Sequence, residues 1–71
     1  MITLHPTDYV IYDRPYDHVI RFSSDDSIVI YGSKEEAELD RKGTEEVIPC
    51  TELPVHHQET LKQQLKKYYE E

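Results

Sequence analysis

The sequence predicts an α+β fold: a small, mostly antiparallel sheet in the order β-β-β-α-β-α with helices packed on one face. Three observations predict it. Short β-branched and aromatic runs alternate with Asp-, Pro- and Ser-rich turns. Helix-capping signals bracket one central segment, and a single apolar stripe at helical spacing runs toward the C-terminus.

The first strand is Tyr9-Val10-Ile11-Tyr12, whose side chains favour the pleated backbone. Asp13-Arg14-Pro15-Tyr16-Asp17 breaks it, because proline removes a donor and aspartates favour turns. His18 to Phe22 reads as a second strand, Ser23 to Ser27 as a turn, and Ile28 to Tyr31 as a third and most apolar strand. Connections this short favour antiparallel neighbours.

Ser33 opens a helix over Lys34 to Lys42, with Glu36 at capping-box spacing. Glu35 and Glu36 in its first turn and Arg41 and Lys42 in its last suit the helix dipole, and Gly43 suits a left-handed exit. Its apolar face is thin, Ala37 with Leu39. Glu46 to Thr51 is a fourth strand, which Pro49 places at an edge or ends early. Pro54 introduces a second helix on which His57, Leu61, Leu65 and Tyr68 form one stripe. The first six residues are expected to be loose.

The 71 residues are read as a single domain with a small core. One cysteine, Cys50, excludes an internal disulfide and points to a reducing compartment. The first residues lack a basic start and a long apolar run, so neither a signal peptide nor a membrane span is expected, and the expected location is the cytoplasm. The net charge of −7 argues against direct contact with nucleic acid or anionic membranes.

Catalytic and metal readings are weak at this level. Cys50, His56 and His57 lie close in sequence, with His5 and His18 elsewhere, but zinc sites usually show paired ligands at short regular spacing. Adjacent histidines on a helix also point about 100° apart. No metal ligand and no cofactor is therefore assigned. Cys50 in a strand reads as an inert filler rather than a nucleophile. The acid pairs Asp25-Asp26, Glu35-Glu36 and Glu45-Glu46 fall in turns and at helix ends, where acids serve structure. No catalytic residue is assigned, and the chain is read as a binding protein rather than an enzyme.

The charge layout carries the functional expectation. Residues 1–59 hold 13 acids and 5 bases, whereas residues 60–71 hold 2 acids and 3 bases. The candidate partner-binding residues are Asp13, Asp17, Asp25, Asp26, Glu35, Glu36, Glu38, Asp40, Glu45 and Glu46. Carboxylates on neighbouring helix turns lie about 5–6 Å apart, comparable with phosphates along one strand of DNA. Six tyrosines make Tyr68 and Tyr69 the candidate contacts of a homodimer.

In its acid-rich stretches Asp8 to Asp26 and Glu35 to Glu46, its size and its tyrosine content, the chain resembles the small early host-takeover proteins of lytic bacteriophages. Some of those are DNA mimics that inhibit HU-type histone-like proteins. The resemblance implies an acidic inhibitor of a basic DNA-binding host protein, acting in the bacterial cytoplasm. Lys62, Lys66 and Lys67 interrupt the acidic character and set the C-terminal helix apart from such a face. The competing reading is a small structural or accessory homodimer whose acidity serves only solubility.

Overall fold

A computed structural model describes residues 2–69. It is an α+β fold with a three-stranded antiparallel sheet and two helices. Strand β1 (Tyr9–Asp13) is central, flanked by β2 (His18–Val19) and β3 (Glu46–Pro49). Helix α1 (Lys34–Asp40) precedes β3, and helix α2 (Val55–Tyr69) ends the described chain. Among the described residues, no helix is long and apolar enough to cross a membrane.

The third expected strand, Ile28 to Tyr31, does not form as a strand. Tyr31 exchanges two backbone hydrogen bonds with Tyr9 at 2.8 Å, and Ile28 bridges Arg21. At the second of these bridges the N–H and carbonyl of Ile28 turn to α2. Its N–H donates to Gln64 Oε1 at 2.7 Å, and its carbonyl accepts from Gln64 Nε2 at 3.0 Å. One side-chain amide thus satisfies both backbone groups that a neighbouring strand would have taken. The second expected strand shortens to His18–Val19 for a related reason: beyond Ile20 its partner is the 28–31 segment rather than β1.

Cross-strand register assigns the faces. Val10 lies opposite Ile48 and Tyr12 opposite Val19, and all four join Leu61 of α2 in the core with Leu4, Ile28, Cys50 and Leu53. Ile11, opposite Val47, must point the other way. It is fully buried, α1 packs on β1 and β3, and the buried Ala37 is α1's core residue. Tyr31, paired with Tyr9 on that same side, donates its hydroxyl to Asp40 of α1 at 2.7 Å. The two helices therefore take opposite faces of the sheet, not one face. A buried residue between two inward-facing neighbours on β1 requires cover on both sides.

Ser33 caps α1 as expected, its hydroxyl accepting from the Glu36 N–H at 3.2 Å. The helix stops at Asp40, two residues short of Lys42, and Gly43 takes φ +57° in the following turn. Leu39 is 85% exposed, because two residues from Ala37 is about 200° around the helix. Pro49 lies on an edge strand that passes into a 3-10 turn at Cys50–Glu52. On α2 the stripe holds at His57 and Leu61, weakens at the half-buried Leu65, and fails at Tyr68, which is 74% exposed. The helix outruns the core that its first half covers. At the other terminus Leu4 is a core residue, so the expected looseness of the first six residues does not extend to it.

Candidate functional site

The ten acids named from the sequence do not form one surface. Asp25 lies in the lining of a groove of about 790 Å³ with Gln64, Leu65, Lys67, Tyr68 and Tyr69 near the C-terminal end of α2. Asp17 meets His56 and His57 at the opposite end of that helix. The eleven helical steps from 56 to 67 span about 16 Å. Glu46 shares the α2 side of the sheet with its register partner Tyr12, and pairs with Arg14 at 2.8 Å.

Most of these carboxylates also serve the chain itself. Asp13 accepts from the Thr44 hydroxyl at 2.9 Å, Asp25 from the hydroxyl and N–H of Ser27, and Asp40 from Tyr31. Glu45 accepts from the Lys42 N–H at 2.8 Å, and Glu38 pairs with Arg41 at 3.4 Å. Burial, then the bond to Asp40, pushes the Tyr31 hydroxyl up to about 12. Asp26 sits in the left-handed region at φ 61°, and its carbonyl takes the Arg21 guanidinium. Among the described residues, only Asp26, Glu35 and Glu36 of the ten have no side-chain partner.

The acids that do share a side belong to α1 and its exit. Glu35, Glu36, Glu38 and Asp40 are exposed on α1, with Glu45 half-buried beside them. Arg41 is held back by Glu38 and by the carbonyls of Gly43 and Glu45. Lys62, Lys66 and Lys67 belong to α2, across the sheet.

Tyr68 and Tyr69, the named dimer contacts, are 74% and 70% exposed and stack edge to face at 5.2 Å. With Phe22, Ile30 and Leu65 they border the groove.

A second constellation was not legible in the sequence. Asp17 follows the 3-10 turn Arg14–Tyr16 at φ 51°, a left-handed position that an aspartate tolerates. Its Oδ1 accepts from the Tyr12 hydroxyl at 2.7 Å. His57 Nε2 lies 3.0 Å from the same oxygen and 3.2 Å from the Asp17 carbonyl, so this nitrogen carries the proton and donates. His56 Nε2 lies 3.0 Å from Oδ2. The hydrogen bond from Tyr12 foremost, with those from His57 and His56, lowers the Asp17 carboxyl to about 2. The same bond, reinforced by burial, raises the Tyr12 hydroxyl.

The expectation that adjacent helical histidines diverge does not hold here. Both sit in the first turn of α2, where no preceding turn keeps the rings from swinging over the helix end, and the ring centroids are 4.1 Å apart. Cys50 takes no part: its thiol is buried, donates to the His5 carbonyl at 3.1 Å, and is pushed up by that burial.

The signs of these shifts make a prediction. A carboxyl held below its ordinary 3.8 contributes stability above that value, which is lost as pH falls through about 2. A raised tyrosine contributes below its ordinary value of 10 and loses that contribution as pH rises through its folded value. The Tyr12–Asp17 bond therefore supports the fold across the neutral range and fails at both extremes. Tyr12→Phe should raise the Asp17 pKa, read by carboxyl NMR titration, and move acid unfolding to higher pH. An unchanged Asp17 titration would show that this bond does not hold the carboxyl down.

No protein-family model, curated protein or solved structure matches this chain.

Proposed function

We propose that the protein acts by binding, presenting the acidic side formed by α1 and its exit to a basic, nucleic-acid-binding partner. The observation that supports this reading most is the grouping of five acids on the α1 side, where Lys34 and Lys42 are the exposed bases beside the paired Arg41. Glu35, Glu36, Glu38, Asp40 and Glu45 lie on the α1 side, and the lysines of α2 lie on the other. The interruption that Lys62, Lys66 and Lys67 create in the sequence is thereby removed from the surface that would meet the partner. Glu35 and Glu36, exposed and without internal partners among the described residues, are the groups most available to intermolecular pairing.

A helix of seven residues is about 10 Å long. Its carboxylates can substitute for a short run of phosphates, not for a full turn of duplex. The partner surface is accordingly small, and HU-type histone-like proteins, the class implied by the chain's resemblance to early phage proteins, supply the probe.

Glu35→Lys combined with Glu36→Lys should slow association with an immobilised HU-type protein by on the order of tenfold at low salt, as expected for loss of electrostatic steering. Raising the salt should shrink the difference, since exposed charges are screened over about 8 Å at physiological ionic strength. Stability should fall by no more than about 1–2 kcal/mol, because the replaced side chains are surface groups whose contribution is to the N-terminal turn of α1. Equal association rates for both proteins at low salt would remove α1 from the interface.

A further inference from the structure

The geometry points to a divalent transition-metal site: we propose that Asp17, His56 and His57 bind one zinc-class cation, which ties the turn before β2 to the start of α2.

One ligand atom from each of the three residues lies within 4.8 Å of the others. Each histidine Nε2 stands 3.0 Å from an oxygen of the Asp17 carboxylate. A zinc ion about 2.0–2.1 Å from tetrahedrally placed nitrogen and oxygen ligands needs them about 3.4 Å apart. The present spacing is reached from that arrangement by small side-chain rotations. His56 has freedom to make them, with its side chain 62% exposed. That exposure makes its orientation informative: water is available to its ring, yet Nε2 turns inward to the carboxylate that His57 also meets.

The donor set suits the ion. Two imidazoles and one carboxylate match zinc and its neighbours, and do not suit calcium or magnesium, which take all-oxygen shells. Asp17 is already oriented by the Tyr12 hydroxyl, the kind of supporting bond that fixes a metal-binding carboxylate. Arg14, 5.5 Å from the centre of the Tyr12 ring, has its charge met by Glu46. The protein's overall charge of −7 favours a cation. Three protein ligands leave a fourth position for water.

Binding would convert both imidazoles from the Nε2–H form to the Nδ1–H form, because the Nε2 lone pair must face the ion. Metal and hydrogen-bond network are thus alternatives at one place, and the metal would take over the link between residues 39 and 40 apart in sequence.

The test is titration of the purified full chain with zinc chloride, read by metal analysis and by competition with a chelating dye. Three variants accompany it. Asp17→Asn preserves a residue type that accepts the left-handed backbone. His56→Ala alters an exposed side chain, and His18→Ala is a control at an exposed histidine outside the site. Circular dichroism of each metal-free variant checks that folding is retained. The expected result is one zinc per chain, affinity at least tenfold weaker in Asp17→Asn and His56→Ala, and no change in His18→Ala. Nitrogen-15 shifts should report Nε2 as the bound atom of both His56 and His57. The proposal is overturned by no retained zinc at micromolar concentration, by wild-type affinity in folded Asp17→Asn or His56→Ala, or by coordination through Nδ1.

Discussion

Leu61→Ala should destabilise the fold by about 2–5 kcal/mol, the range for truncating a buried leucine. Leu61 is fully buried, on the stretch of α2 that closes the core over Val10, Tyr12 and Ile48. Domains hold about 0.05–0.15 kcal/mol per residue, so a chain of 71 residues holds about 4–11 kcal/mol and the loss is a large share of it. The variant should show a large drop in denaturation midpoint. Leu65→Ala, at a half-buried position bordering the groove, should cost clearly less. Urea denaturation of both checks the order. Equal and near-zero costs would mean that α2 does not dock through this stripe.

Gln64→Ala should have the next largest effect, about 1–3 kcal/mol. It removes two hydrogen bonds and leaves the backbone N–H and carbonyl of Ile28 without their partner. Ile28 is 1% exposed, so water does not readily replace what is lost. The loss should be local as well as global. Hydrogen exchange at the Ile28 amide should accelerate more than at Val10 or Ile11 in the middle of β1. Unchanged exchange at Ile28 would show that the glutamine amide does not hold this segment.

Gln64 also shows what the sequence could and could not convey. The apolar run Ile28 to Tyr31 reads as a strand because composition reports burial and backbone preference, not the identity of the hydrogen-bonding partner. That partner is a polar side chain 36 residues away, on α2. Ser33 and Gly43 were legible because caps and left-handed turns are local chemistry. The opposite placement of the helices was also within reach: Val10, Ile11 and Tyr12 in succession are too apolar for a strand covered on one side only.

The site residues divide in the same way. The acids of α1 share a surface because they share a helix, which spacing reveals. Composition groups Asp17 and Asp25 with them, but the turns carry one to the start of α2 and the other to the groove near its end. The meeting of Asp17 with His56 and His57 depends on the 3-10 turn after β1 and on the direction in which α2 starts. Neither has a signature in residue type. The adjacent histidines were the available signal, and the 100° rule concealed it by treating the first turn of a helix as its middle.

An α1 side that occupied a basic partner's nucleic-acid surface would compete with DNA for it. Displacement tests it most directly: labelled duplex DNA bound to an HU-type histone-like protein, titrated with this chain at a low and a physiological salt concentration. DNA should be released at low salt, with the chain's own binding weakened as salt rises and release impaired by Glu35→Lys with Glu36→Lys. DNA that stays bound at large molar excess of the wild-type chain in low salt would contradict it.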